Sequence, residues 1–123
     1  MTDHAELIQR HIEALEARDW EGFAATLHPD IVYEAHQTRE RVTGREAYLA
    51  FNRGFPGDWH LTISRLVADQ HGGAVRTDAR VGDETMTGIH FFTVADGLVS
   101  HVDDFWPEPY EPPPGREHLV ERW

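Results

Sequence analysis

Apolar positions in the first part of the chain recur at the spacing of a helix. They predict a first helix whose apolar face carries Leu7, Ile8, His11, Ile12 and Leu15. Asp3 can cap this helix, and Asp19 can cap a second, short helix that ends before Pro29. A third helix is expected to open at residues 43–46, which have the pattern of a capping box, and to end at Gly54.

Alternating apolar and polar positions follow and predict strands. One predicted strand, residues 31–38, lies between the second and third helices. Four more form a meander over residues 60–69, 74–81, 84–95 and 98–106. Glycine-containing breaks separate them, and Asp96-Gly97 is the strongest hairpin signal among these breaks. This order predicts an α+β fold, with three N-terminal helices packed on a strongly curved, mostly antiparallel sheet.

The length of 123 residues suits one domain, which we expect to span residues 1–123. Residues 107–115 hold five prolines in nine positions. Such a stretch favours an extended, polyproline-like conformation on the surface. We therefore expect residues 107–123 to form a proline-rich C-terminal extension of the domain.

Composition removes several classes of chemistry. The chain has no cysteine, so disulfides, thiolate metal sites and thiol catalysis are excluded. All 11 basic residues are arginines, which excludes a lysine Schiff base. A formal charge of −11 argues against nucleic acid or an anionic membrane as a partner. No targeting segment and no long apolar run stand out, so a cytoplasmic location is expected.

The last hairpin draws attention to Asp104. A two-residue loop at Asp96-Gly97 predicts that Asp104 faces Ile89 on one side of the sheet and that His90 faces Asp103 on the other. A carboxyl group in apolar surroundings holds its proton more tightly and can exchange it near neutral pH. The alternative is a hydrated carboxylate at the end of the strand, or one that binds a loop amide.

The order of elements, together with four short motifs, resembles the SnoaL-like branch of the nuclear-transport-factor-2-like superfamily. The motifs are Arg18-Asp19-Trp20, residues 27–33, residues 42–47 and residues 96–99. The resemblance spans nearly the whole chain and implies a cone-shaped barrel with an apolar pocket and a homodimer built through the outer sheet face. Relatives include polyketide cyclases, ketosteroid isomerases, limonene-epoxide hydrolases and scytalone dehydratases, besides binding modules. The resemblance therefore implies a ligand pocket but does not identify a particular reaction.

The resemblance carries over to individual positions only in part. The cyclase pattern Gly-x-Ile-x-x-His-x-Asp falls on residues 97–104, so Asp104 matches the catalytic aspartate and Val102 replaces the histidine. The oxyanion tyrosine of ketosteroid isomerases falls on His11, while their base and second acid fall near Ala35 and Ile89. The chain has no complete set of the residues that limonene-epoxide hydrolases use for catalysis, although the Tyr33 hydroxyl could donate a hydrogen bond.

These positions define a predicted catalytic set of Asp104, His11 and Tyr33. Asp104 would be the general acid or base, and His11 or Tyr33 would stabilise an oxyanion or supply a proton. The alternative for His11 and Tyr33 is a core side chain bonded to a carbonyl. The predicted ligand-binding wall is Trp20, Phe23, Phe51, Phe55, Trp59, Ile89, Phe91, Val102 and Trp106, with plain core as the alternative for the Trp20/Phe23 stripe.

A metal site is the remaining possibility, since His90, His101 and Asp103 would share one sheet face. No close histidine spacing supports it, and a His–Asp hydrogen bond explains the pattern, so no metal or cofactor is expected. The sequence thus predicts a homodimeric protein that binds a small apolar molecule. As an enzyme it would be a cofactor-free isomerase, cyclase, dehydratase or hydrolase; the alternative is a non-catalytic binding or protein-interaction module.

Overall fold

The computed structural model describes residues 4–123, so the predicted cap Asp3 lies outside the described residues. The helices are α1 (Ala5–Glu16), α2 (Trp20–Ala24) and α3 (Arg45–Arg53). The strands are β1 (Leu27–Ala35), β2 (Glu40–Thr43), β3 (Trp59–Ala68), β4 (Gly72–Val81), β5 (Glu84–Ala95) and β6 (Leu98–Phe105). A 3₁₀ turn at Glu117–Leu119 lies in the C-terminal extension. No helix within residues 4–123 has the length and apolar character needed to cross a membrane.

The six strands form one curled sheet in the order β2-β1-β6-β5-β4-β3. Neighbouring strands are antiparallel except β1 and β6, which run parallel. The helices pack on the inner face of the sheet, and this arrangement confirms the predicted α+β cone. Its core joins the apolar face of α1 to side chains from β1, β4, β5 and β6.

The helix predictions hold where the apolar spacing was regular. The face of α1 that carries Leu7, Ile8, His11, Ile12 and Leu15 is buried. The Asp19 carboxylate accepts a hydrogen bond of 3.0 Å from the Gly22 N–H and caps α2. The capping box predicted for α3 is wrong, because Gly44 with φ of 94° occupies the cap position and no side chain bonds there.

Two departures concern the strands near the N-terminal half. Pro29 lies inside β1, in the segment where the pairing of β1 with β6 shifts register, so a residue without an N–H is tolerated. Residues 40–43, which follow the first predicted strand, form β2, and this unpredicted strand pairs with β1 at the edge of the sheet. Charged side chains are common on edge strands because they discourage further pairing.

The register of the last hairpin changes along its length. Beside the turn, Val94 pairs with Val99, as a two-residue loop predicts. Beyond a shift between Thr93 and Val94, Thr93 pairs with His101, which leaves Ser100 as an extra residue on β6. A one-residue shift moves every later side chain to the opposite face. The predicted pairing of Asp104 with Ile89 is therefore wrong.

The same shift corrects the partner of His90. The predicted pair was His90 with Asp103, but the observed pair is His90 with Asp104. Asp104 also lies beside Ala35 of β1, which is the parallel neighbour of β6. Three adjacent strands thus converge on the Asp104 carboxylate.

Candidate functional site

A cavity of about 330 Å³ opens between α1, α3 and the inner face of the sheet. This volume lies at the small end of the range for ligand pockets. Its wall is mainly apolar and aromatic, with Tyr48, Phe51, Phe55, Trp59, Val102 and Trp106 among the lining residues. Asp104, His90, Tyr33 and His11 bring polar atoms to this wall.

The Asp104 carboxylate is held by two side chains from the neighbouring strands. Asp104 is only 8% exposed. The Tyr33 hydroxyl of β1 donates to Oδ2 at 2.8 Å, and Nδ1 of His90 on β5 lies 2.6 Å from Oδ1. Each carboxylate oxygen can accept a further hydrogen bond, so the group keeps capacity for a molecule in the cavity.

A threonine behind His90 fixes its imidazole. Nε2 of His90 lies 2.8 Å from Oγ1 of Thr77, so a hydroxyl, an imidazole and a carboxylate form a chain. Thr77 is fully buried and does not line the cavity, so it orients His90 and is not placed as a nucleophile. Gly88 leaves room for this contact, because an added Cβ would lie 2.5 Å from Thr77 Oγ1.

The protonation of the tyrosines follows from their surroundings. Burial and the neighbouring Asp104 carboxylate raise the pKa of Tyr33 far above its ordinary value. Its hydroxyl therefore keeps its proton and donates to Asp104. Burial also raises the pKa of Tyr48, whose ring stacks on Tyr33 at 4.8 Å.

His11 is a neutral imidazole with a defined tautomer. Its Nδ1 lies 2.9 Å from Oγ1 of Thr26, and that hydroxyl donates its only proton to the carbonyl of Phe23 at 2.7 Å. Nδ1 of His11 must therefore carry a hydrogen and donate to Thr26. Burial, followed by the charge of His90, lowers the pKa of His11 to about 3. The sequence predicted His11 as an oxyanion donor or proton source, but its N–H points away from the cavity and is already used.

Some of the predicted wall residues lie elsewhere. Five of the predicted wall residues line the cavity, and their role in ligand binding stays a prediction. They are Phe51, Phe55, Trp59, Val102 and Trp106. Phe23 is buried behind His11, with 4.7 Å between ring centroids, and Trp20 packs edge-on against Phe23. Ile89 and Phe91 do not line the cavity, because the shift at Ser100 turns them to the outer face, where Phe91 is 49% exposed.

His90 is the site residue that sequence reasoning missed. Its assignment to the outer face followed from the uniform hairpin register, which the extra residue in β6 breaks. The available signal was that a shift of one residue brings His90 opposite Asp104 instead of Asp103. In the cyclase resemblance Val102 replaces a histidine, and here an imidazole reaches the carboxylate from the neighbouring strand instead.

Charged side chains contact two residues of the cavity wall, Trp59 and His60. His60 bonds through Nδ1 to Glu16 at 2.8 Å and through Nε2 to Asp58 at 2.9 Å. These hydrogen bonds, that of Glu16 first, raise the pKa of His60. The guanidinium of Arg18 stacks 3.3 Å above the Trp59 ring and also donates to the Trp59 carbonyl. These contacts tie the C-terminal end of α1 and the turn after it to the start of β3.

The outer sheet face carries a separate group of imidazoles and carboxylates. His36 and His101 lie 2.8 and 3.3 Å from the same Asp103 oxygen, and His101 also lies 3.0 Å from Glu34. Arg41 holds the other oxygen of Glu34. The predicted set of His90, His101 and Asp103 does not come together, since His90 points into the cavity. Glu34, His36 and Asp103 instead bring their ligand atoms within 4.8 Å of one another.

Comparisons with known proteins place the chain in one family. The family described as SnoaL-like domain matches residues 8–102. A candidate ketosteroid isomerase from Kribbella flavida DSM 17836 is 54% identical, with a TM-score of 0.95 over 98% of this chain and 89% of that chain. A candidate polyketide cyclase from Sinorhizobium meliloti is 19% identical, with a TM-score of 0.73 over 81% of this chain and 94% of that chain.

A third solved structure shares the fold at low identity. An LEH-like epoxide hydrolase from M. tuberculosis is 21% identical, with a TM-score of 0.71 over 85% of this chain and 82% of that chain. No curated protein matches the chain. The family match and the similarity to the Kribbella protein agree with the cone fold. The chain belongs to the SnoaL-like family of the nuclear-transport-factor-2-like superfamily.

Proposed function

We propose that this protein binds a small, mostly apolar molecule in the cavity and transfers a proton on it through Asp104, without a cofactor. The observation that carries the proposal is a carboxylate on the wall of an apolar cavity, oriented by Tyr33 and His90. A general base needs such a fixed position within reach of the proton that it abstracts.

The residues of the site have separate parts in this proposal. Asp104 accepts a proton from the bound molecule and returns it at a second atom or to a leaving group. Tyr33 and His90 are positioning residues, because they donate to the carboxylate and set its orientation. Thr77 acts one step further back by holding the His90 ring. Isomerisation, cyclisation, dehydration and hydrolysis all use such a step.

The Kribbella protein supports acid–base chemistry through its designation as a candidate ketosteroid isomerase at 54% identity. In ketosteroid isomerases, the resemblance put the base near Ala35. Ala35 cannot transfer a proton, but it pairs directly with Asp104 on the adjacent strand. A carboxylate one strand away therefore serves the same region of the cavity.

Proton exchange with solvent tests this function without knowledge of the natural substrate. The protein is incubated in deuterium oxide with a panel of cyclic and aryl ketones, half of which carry a hydroxyl group. Loss of the proton signal next to the carbonyl is followed by NMR. We expect exchange above the buffer rate for ketones small enough for the cavity, and suppression by an apolar competitor such as 2-methylnaphthalene. Exchange at the buffer rate across the panel would contradict the proposal.

A non-catalytic binding module is the second candidate. It is favoured by the fact that both oxygens of Asp104 and both ring nitrogens of His90 have partners within the protein. Such a closed network also stabilises a buried carboxylate that performs no chemistry. Saturable ligand binding without proton exchange on any probe would support this candidate.

We also propose that the protein is a homodimer formed through the outer sheet face. This face exposes Phe91 and carries a stacked His36–Phe105 pair with 4.4 Å between ring centroids. Phe91 and Phe105 contact each other edge-to-face at 6.0 Å. Light scattering after size exclusion should give a dimer mass for the wild type and a monomer mass for Phe91→Arg. A monomeric wild type at micromolar concentration would contradict this part.

A further inference from the structure

We infer that His11 selects ligands that present a hydroxyl or another hydrogen-bond donor to its Nε2, so the cavity takes apolar alcohols, phenols or hydroxyketones. This inference rests on the proposed function and names the substrate class of the same site.

The hydrogen bonds around His11 fix which of its ring atoms is available. The Thr26 hydroxyl donates its only proton to the Phe23 carbonyl, so Nδ1 of His11 is the donor in the 2.9 Å contact with Thr26. Nε2 of the neutral ring then carries a lone pair and no proton. The ring itself is held between Phe23 and Phe92, at centroid distances of 4.7 and 5.3 Å.

Nε2 of His11 is open to the cavity. Every fully enclosed side-chain nitrogen and oxygen in residues 4–123 has a hydrogen-bond partner. Nε2 of His11 makes no hydrogen bond within those residues, and His11 lines the cavity while being 1% exposed overall. Nε2 is therefore part of the small exposed surface of His11, and it is an unpaired hydrogen-bond acceptor that faces the cavity.

The donors nearest to Asp104 cannot satisfy this acceptor. The Tyr33 hydroxyl donates to Asp104, and the ring nitrogens of His90 bond to Asp104 and Thr77. A ligand that fills the cavity without a donor would leave Nε2 of His11 dry and unpaired, which weakens binding. A ligand hydroxyl at this position removes that penalty, and the loss of one such bond changes affinity by about tenfold.

A matched pair of probes isolates the effect. 2-Naphthol and 2-methylnaphthalene have nearly the same shape and differ in a hydroxyl for a methyl group. Trp59 and Trp106 line the cavity, so the fluorescence of tryptophan reports binding of both probes. We expect the wild type to bind 2-naphthol at least about tenfold more tightly, and His11→Phe to bind the two probes within about threefold of each other.

Asp104 could also accept the hydroxyl, so Asp104→Asn is measured in parallel and should keep the preference for 2-naphthol. A second readout needs no variant. Nitrogen NMR of the wild-type imidazole should show His11 Nε2 as an unprotonated nitrogen that shifts towards the protonated range when 2-naphthol binds, but not when 2-methylnaphthalene binds.

The outcomes separate this inference from the proposed function. Equal wild-type affinity for the two probes, or an unchanged preference in folded His11→Phe, would overturn the inference while leaving proton exchange by Asp104 intact. An unshifted His11 Nε2 signal in the 2-naphthol complex would overturn it as well. Failure of both probes to bind would contradict the ligand cavity itself, and with it both proposals.

Discussion

His11 gives the stability of the fold a pH dependence whose sign follows from its burial. Its pKa in the folded protein is lowered to about 3 from an ordinary value of 6.5. Between these values the unfolded chain binds a proton that the folded chain does not. The contribution of His11 is therefore fully present above the unfolded pKa and is lost as the pH falls towards the folded pKa.

The magnitude follows from this one-proton difference. The free energy of unfolding changes by about 1.4 kcal/mol per pH unit when the unfolded state binds one more proton. With pKa values of 6.5 and about 3, acidification from pH 7 to pH 5 should remove about 2 kcal/mol. This loss of about 2 kcal/mol depends little on the folded-state pKa, because His11 of the folded protein remains unprotonated at pH 5.

Urea unfolding followed by tryptophan fluorescence at pH 7, 6 and 5 measures this effect. The difference between wild type and His11→Phe isolates one imidazole, since every other group titrates in both proteins. The wild type should lose about 2 kcal/mol more than the variant between pH 7 and pH 5. Parallel curves for the two proteins would refute the argument that His11 is buried in the neutral form.

His60 provides a control of opposite sign. Its pKa is raised by hydrogen bonds to Glu16 and Asp58, so its contribution is present at low pH and is lost as the pH rises through its folded pKa. His60→Gln should therefore lose more stability at pH 5 than at pH 7, relative to wild type. Because the His60 side chain is 38% exposed and solvent screens its ion pairs, the effect should be much smaller than that of His11.

Two further predictions concern the network behind Asp104. Gly88→Ala puts a Cβ 2.5 Å from Thr77 Oγ1 and 2.7 Å from His90 Nε2. We therefore expect the free energy of unfolding to fall by about 1–3 kcal/mol and proton exchange to slow. Unchanged values in thermal unfolding and exchange assays would contradict this packing. Tyr33→Phe removes the hydroxyl that donates to Asp104 at 2.8 Å. Proton exchange should slow, while the affinity for the probe stays within about threefold of the wild-type value. A rate equal to wild type would show that Tyr33 does not position the carboxylate.

The fold could be predicted because its determinants are local. The apolar spacing of α1, the Asp19 cap and the Asp96-Gly97 turn each act within a few residues, and the structure contains all three. The short strand β2 was missed, since three of its four residues are polar and the strand gains its regular structure from pairing with β1. Edge strands of this kind have little apolar pattern of their own.

The candidate site was predictable only in part. Asp104 and Tyr33 were named from strand alternation and resemblance, and the structure joins them by a hydrogen bond. His90 was missed because Ser100 adds one residue to β6, and a bulge changes which face a side chain occupies without leaving a distinctive sequence pattern. The tautomer of His11 depends on Thr26, whose contact requires the packing of α1 against the residues that follow α2.

The central claim is that Asp104 itself moves the proton, and a pair of variants on one strand tests it most directly. Asp104→Asn removes the carboxylate in the cavity, and Asp103→Asn removes its neighbour on the outer face. The ketone that exchanges fastest with wild type serves as the probe, and bound probe is measured in parallel. We predict that Asp104→Asn binds the probe but exchanges its proton at least about 100-fold more slowly, while Asp103→Asn exchanges it at the wild-type rate. Wild-type exchange by Asp104→Asn would contradict the account.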